Sequence, residues 1–330
     1  DLHLCDRRQR QMCIRDRNSI NNMKTKFLHI ATALLFAGFT SSCSDFLDRY
    51  PLDELSDSSF WKTENDAMMA VTDIYGCLPT WDQDEDINSD NAVHGIKWAA
   101  GNISKGIYDP MDQSWAGSYT PIRQCNLVLE KVKDIEMSDE SRKKIEGQAY
   151  FFRAFVYFNL IRSFGDVPYI DKPLNLTDVE DITRTPREEV YAKVMADFDK
   201  AIEYLPEEWD AANTPRVTKG AALAMKARAA LYYSNWQVAA DASKAVIDLG
   251  KYELYDAGNT GKYQELFWEK SDGCDENILY VQFNYPDKTH YLIGWECFPT
   301  LGWGGMNPTQ SLVDAFEDKD GAPISKSTIY

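Results

Sequence analysis

The chain has 330 residues, 52 of them acidic against 35 basic, and a net charge of −17. Residues 1–22 hold five Arg against three Asp and residues 23–42 hold two Lys, so each segment is +2 and the remainder carries −21. An acid excess of this size excludes grip on a phosphate backbone, which needs a basic surface, and suits a well-solvated surface protein.

Residues 1–22 are Arg-rich and read as an artefactual leader, not as part of the fold. Met23-Lys24-Thr25-Lys26 opens a different pattern: paired lysines, an apolar run from Phe27 to Phe39, then Thr40-Ser41-Ser42-Cys43. That run has 13 residues and no Asp, Glu, Lys or Arg. It is too short to span a bilayer, which takes about 20 apolar residues. Residues 23–42 therefore read as a lipoprotein signal peptide and Cys43 as the lipid anchor. Residues 43–330 suffice for one large or two modest domains.

Past an extended stretch ending in Tyr50-Pro51, Thr63 and Asp66 form a capping-box variant. Ala67, Ala70, Val71, Ile74, Tyr75 and Leu78 follow at helical spacing, and Pro79 closes the helix. Residues 79–113 form a long loop rich in Asp, Asn and Gly, a length that in a compact domain points to function or to disorder. Within it Asp82, Asp84, Asp86 and Asn88 alternate like a calcium loop, but Ile87 and Val93 stand where Gly and an acidic ligand are required. A second helix is expected over Gln113–Lys133, with Pro121 marking its first turn or a kink. Ser138 caps a third, with Ile145, Ala149, Phe152, Val156, Asn159 and Leu160 on its buried side. Gly165 and Pro168 end it. Thr185-Pro186-Arg187-Glu188 reads as a capping box opening a helix that Pro206 stops. Thr218 opens another, Asn235 breaks it, and Trp236–Leu249 is its partner, stopped by Gly250. Beyond Gly250 the short Tyr252-Glu253-Leu254 reads as strand-like, Glu276 to Phe283 alternates like a strand, and Pro308 to Phe316 reads as a short helix.

The helices repeat. Ala149, Arg153, Ala154, Tyr157 and Phe158 match Ala224, Arg228, Ala229, Tyr232 and Tyr233. Ala196-Asp197, Lys200-Ala201 and Leu205 match Ala240-Asp241, Lys244-Ala245 and Leu249. Both blocks run helix A then helix B, with small residues at fixed places, as in tetratricopeptide-like stacks. Trp115, Phe152, Phe155, Tyr157, Tyr232 and Trp236 lie at helical spacing and read as core. Arg153 and Arg228 occupy equivalent positions and read as structural charge pairs. The fold class expected is mainly α, tetratricopeptide-like helix pairs over about 138–250, with minor β and an irregular, loop-rich region over about 251–330.

Several segments together resemble the SusD/RagB family of outer-membrane nutrient-binding lipoproteins of Bacteroidetes. They are Cys43-Ser44-Asp45-Phe46-Leu47-Asp48, Phe60-Trp61, Tyr150-Phe151-Phe152-Arg153-Ala154, Phe164-Gly165-Asp166-Val167-Pro168, Arg216-Val217-Thr218-Lys219-Gly220, Glu276-Asn277-Ile278 and Leu312-Val313-Asp314-Ala315-Phe316. The resemblance implies a helical SusD-like domain over 43–330 whose loop face captures glycans, or in some members peptides. It implies a lipid-anchored lid at the cell surface, working with a SusC-like TonB-dependent transporter. Family chains normally run longer, so a C-terminal part is expected to be missing.

A sugar offers apolar C–H faces and polar edges, so its site needs planar rings on loops, with amides and carboxylates at the rim. The candidate ligand-binding residues are the loop aromatics Trp81, Trp98, Tyr291, Trp295 and Trp303, with Asn91, Asn102 and Asn284 for hydroxyls. His94 and His290 read as solvent-facing loop histidines. No C-x-x-C or Cys/His spacing marks a zinc site, and no cofactor is implied. Cys77, Cys125, Cys274 and Cys297 leave one disulfide open but read better as separate buried thiols. A glycoside hydrolase, which needs a carboxylate pair flanking the scissile bond, has no local pattern in its favour; nor does any G-x-S-x-G, P-loop or H-E-x-x-H occur. The chain is thus expected not to be an enzyme. A periplasmic helical scaffold that binds only proteins is the other rival.

Overall fold

The computed structural model describes residues 60–79, 86–95, 106–107, 115–255, 265–266, 271–284, 286–289, 302–318 and 321–324. The chain divides into two units, 1–60 and 61–330, and apart from Phe60 the described residues all belong to the second. The leader, the signal segment and Cys43 lie outside the described residues.

The described helices are α1 (Glu64–Ile74), α2 (Trp115–Lys131), α3 (Asp139–Phe164), α4 (Arg187–Tyr204), α5 (Lys219–Tyr232), α6 (Trp236–Asp248) and the short α7 (Gln310–Ala315). Two three-residue strands, β1 (Ala92–His94) and β2 (Met306–Pro308), complete the set. α1 packs on α2, α3 on α4 and α5 on α6, and each pair leans on the next through α2–α3 and α4–α5. Of these, α3–α4 and α5–α6 are the expected tetratricopeptide-like pairs.

Local chemistry sets most helix ends. Thr63 and Asp66 form the capping box at the start of α1, the Thr63 amide donating to Asp66 Oδ2 (2.7 Å) and the Asp66 amide to Thr63 Oγ1 (3.2 Å). Ser138 and Thr218 cap α3 and α5 in the same way. Gly165 ends α3 with φ +70°, a backbone region that glycine enters without steric cost. The expected capping box at Thr185 does not form. Thr185 instead exchanges backbone hydrogen bonds with Val167 in an isolated bridge, and α4 starts at Arg187, whose amide donates to Asp166 Oδ1 (2.9 Å). Pro121 marks no first turn: it sits inside α2 and is buried.

α3 is the axis of the stack. One buried side was expected; in fact Phe151, Phe152, Ala154, Val156, Tyr157, Phe158, Leu160 and Ile161 are all buried, because α1, α2 and α4 surround it. A helix apolar on all sides belongs inside a core. Gly147 makes the α3–α4 approach possible: a Cβ there would meet Leu205 Cγ and Tyr204 Cβ at 3.0 Å.

Inside this packing lies a polar network. Arg153 Nε and Nη2 donate to Asp197 Oδ2 and Oδ1, both at 2.7 Å, and Nη1 donates to Asn126 Oδ1 (2.8 Å). Asn126 Nδ2 donates to the Ile170 carbonyl (2.9 Å), which also accepts from the Tyr157 hydroxyl (3.1 Å). One guanidinium therefore ties α2, α3, α4 and the loop after α3, with both charged side chains only 8% exposed. A second network joins α1 to α3 and to the loop before α5. The Tyr75 hydroxyl donates to Gln148 Oε1 (2.8 Å) and accepts from the Val217 amide (2.9 Å), while Arg216 bridges Gln148 Oε1 and Thr72 Oγ1.

The second copy of the repeat lacks the pair. Arg228 and Asp241 are exposed and do not meet; Asp241 takes the Gln237 amide instead (2.9 Å). Tyr232 and Trp236, expected in the core, are 56% and 63% exposed. Among the described residues α6 packs chiefly on α5, and Trp236 and Ile247 are exposed on it. The alternation of Glu276–Phe283 gives no strand either. The Glu276 carboxylate accepts from the Tyr255 amide, the Asn277 amide turns back to the Cys274 carbonyl, and only Asn284 pairs, with Lys288. Cys77, Cys125 and Cys274 are free thiols, while Cys297 lies outside the described residues. Burial pushes the Cys77 thiol up to about 12.

Removing one member of a buried ion pair leaves the other charge unpaired and costs about 3–5 kcal/mol. Asp197→Ala is therefore expected to lower unfolding free energy in urea by that amount. The double variant Arg153→Met/Asp197→Leu should recover more than half of the loss. Tyr75, Tyr119 and Tyr169 are each pushed by burial from 10.0 to about 12. Their folded state holds the proton more tightly than the unfolded one, so the stability they contribute is complete below pH 10 and lost as pH rises through 12. A urea midpoint that falls steadily between those values is the expected result.

Candidate functional site

β1 and β2 run antiparallel, pairing Ala92 with Pro308, Val93 with Asn307 and His94 with Met306. The ladder continues past both ends. The Gly95 amide donates to the Gly305 carbonyl (3.0 Å) and the Thr309 amide to the Asn91 carbonyl (2.8 Å). Thr309 does three jobs there. Its hydroxyl donates to the Asp90 carbonyl (2.6 Å) and accepts from the Leu312 amide, so the residue that closes the ribbon also caps α7.

This ribbon is the structural contribution that sequence reading missed. Ala92-Val93-His94 is too short to show alternation, and its partner lies more than two hundred positions away. The ribbon joins the loop region before α2 to the region before α7, the two regions that contain all five aromatic candidates. Trp303 stands on the approach to β2 and is 53% exposed. Asn91 is half-buried in the turn entering β1, and Asn284 is exposed at its bridge with Lys288. Trp81, Trp98, Tyr291, Trp295 and Asn102 lie outside the described residues. His94 is not solvent-facing: it is half-buried, with Nδ1 3.2 Å from the Gly305 carbonyl. His290 lies outside the described residues.

Gly95 and Gly304 set how closely the two strands approach. Gly304 has φ +61°, and a Cβ on Gly95 would lie 1.9 Å from the Gly304 carbonyl and 2.1 Å from Asn307 Nδ2. Asn307 Nδ2 already donates to that carbonyl (3.1 Å), so neither group has room to yield. Among the described residues no group of His, Cys, Asp and Glu is arranged to hold a metal ion, and no helix is long and apolar enough to cross a membrane.

Helix pairs stacked in this order define a tetratricopeptide-like helical protein. The chain belongs to the SusD-like family described as starch-binding and associating with the outer membrane, whose family model matches residues 46–231. A curated SusD-like protein of Formosa agariphila is 29% identical over 276 residues, covering 79% of this chain and 53% of the relative. A crystal structure of a SusD-like protein from Bacteroides fragilis superposes with a TM-score of 0.75 at 30% identity, covering 83% of this chain and 57% of that one. A SusD-like carbohydrate-binding protein from the same species gives 0.70 at 26%, covering 80% and 55%. The chain thus spans about half the length of the relatives it matches.

Gly95→Ala is expected to open the ribbon and leave the helices standing. Amide exchange at Gly95 and Thr309 should rise at least tenfold while the far-ultraviolet circular dichroism stays constant.

Proposed function

We propose that this chain is the glycan-capturing part of a lipid-anchored surface receptor, acting without catalysis and delivering its cargo to a SusC-like transporter. The observation that carries the reading is the β1–β2 ribbon. In an antiparallel pair, residues after His94 and residues before Met306 leave by the same end. Trp98 lies four residues beyond His94 in sequence and Trp303 three before Met306. Of the two, Trp303 stands at that end of the ribbon, while Trp98 lies outside the described residues. Tyr291 and Trp295 precede Trp303 on the same stretch of chain, and Trp81 precedes β1. Aromatic rings on loops suit the C–H faces of sugars, and several weak subsites together give usable affinity.

The family description as starch-binding and outer-membrane-associated, and the carbohydrate-binding relative, support the ligand class. Cys43 behind its apolar signal segment supports the anchor. The transporter partner follows from the family resemblance. A peptide ligand on the same lid is the second reading, as aromatic loops also suit peptide side chains.

Calorimetric titration with neutral oligosaccharides, malto- and laminari-series included, tests this reading. Binding at micromolar or weaker affinity is expected, with no release of reducing ends. Trp303→Ala should weaken it at least tenfold, equivalent to about 1.4 kcal/mol. Unchanged affinity in Trp303→Ala and Trp98→Ala alike, or turnover of the glycan, contradicts it.

A further inference from the structure

A concave site elsewhere in the chain shares no lining residue with the ribbon. It is a cleft of about 310 Å³ between the loop joining α4 to α5 and the segment 273–280. That volume is at the lower edge of the range for small-ligand sites, about 300–1,000 Å³.

Its walls are fixed by their own hydrogen bonds. Trp209 Nε1 donates to the Val217 carbonyl (2.8 Å), and the Lys219 amide donates to the Pro206 carbonyl (2.8 Å), closing the base of the loop. The Tyr252 hydroxyl lies 3.1 Å from Thr218 Oγ1. Opposite, the amides of Cys274 and Asn277 donate to Ser271 and Cys274 in successive turns, and the Glu253 amide holds the Asp275 carbonyl. Three half-buried rings, Trp209, Tyr252 and Tyr280, thus line a preorganised cleft.

The polar groups facing it are spare. Among the described residues the Tyr280 hydroxyl and the Glu207 and Asp275 carboxylates make no hydrogen bond, and Asn277 uses only its Nδ2, toward Cys274 Sγ (3.5 Å). Lys251 pairs with Glu208 at 2.9 Å, and Arg216 hydrogen-bonds the neutral Gln148 and Thr72. The open groups offer carboxylate, amide and phenol oxygens, and the lining carboxylates Glu207, Glu208 and Asp275 outnumber the cations Lys251 and Arg216 by one. Such a set accepts hydroxyl donors and repels anions, while the rings cover apolar C–H surface.

We propose that this cleft is a second carbohydrate subsite, taking one or two units at the end of a neutral glycan and rejecting uronic or sulfated sugars. The ligand class agrees with the reading above, but the residues are different, so each can fail alone. An affinity near millimolar is expected, as one small subsite supplies little contact area.

The test is fluorine NMR of the full chain carrying 5-fluorotryptophan, with the Trp209 resonance assigned by Trp209→Phe and that of Trp303 by Trp303→Ala. The probes are maltotriose, glucuronic acid and trilysine. Maltotriose should shift the Trp209 resonance saturably, and glucuronic acid should not. Tyr280→Ala/Asp275→Ala should weaken that response at least tenfold while leaving the unliganded Trp209 resonance and any Trp303 response in place. Trp303→Ala should leave the Trp209 response unchanged. A Trp209 resonance that ignores maltotriose overturns the proposal. So does one that answers glucuronic acid equally, follows trilysine alone, or keeps its response in the double variant. Loss of the Trp303 response alone would count against the ribbon reading and not against this one.

Discussion

The Arg153 guanidinium is the point on which the helical stack depends. It has no water to fall back on, so its charge is held by Asp197 on α4 and by the Asn126 amide on α2. A bidentate guanidinium–carboxylate pair fixes orientation as well as distance. α4 therefore cannot slide along α3 without stranding two buried charges, a penalty larger than any single apolar contact would impose. Around that pair the rings of Phe151, Phe152 and Phe198 interlock, with Phe151 edge-on to both of the others. Polar pairing sets register here, and apolar burial supplies most of the cohesion.

Lock and scaffold together explain where the loops can act. The Ile170 carbonyl, drawn in by Asn126 and Tyr157, brings the loop after α3 back against α2, where the Tyr119 hydroxyl also binds the Pro168 carbonyl (3.0 Å). The Tyr75–Gln148–Arg216 network does the same for the loop before α5. Arg216 of that second network also lines the cleft beside Trp209. The ribbon, by contrast, is two strands of three residues with Val93 and Trp303 about half exposed. An isolated pair of that size is marginal on its own.

Much of the helical fold was legible because its signals are local. Thr63, Ser138 and Thr218 each announce a helix by the bond their own side chain makes, and Gly165 and Gly250 end helices at positive φ. The repeat was legible too, as far as the A–B order of α3–α4 and α5–α6. The repeat alone does not say which copy buries its charges. Arg153 and Arg228 occupy equivalent repeat positions, yet only Arg153 is covered by a preceding helix carrying Asn126. Tyr232 and Trp236 misled for a related reason: helical spacing reports a face, not how fully it is covered, and Tyr232 meets Phe158 edge-on yet stays more than half exposed.

The candidate site was the least legible part. A three-residue strand carries no periodic signal, and the pairing of Val93 with Asn307 depends on chain folded in between. Glu276–Phe283 has the better strand pattern and stays irregular, because an alternating face needs an edge to pair with. Aromatic chemistry pointed to loop rings, while Trp209, in a loop between two helices, drew no attention. Site-resolved native-state hydrogen exchange tests the central claim most directly. If the Arg153 lock makes one unit of α2, α3 and α4, the slowest amides in Ile122–Leu129, Phe151–Ile161 and Val194–Ala201 share a single opening free energy, well above that of the ribbon. Independent opening of α4 at a markedly lower free energy than α3 would contradict it.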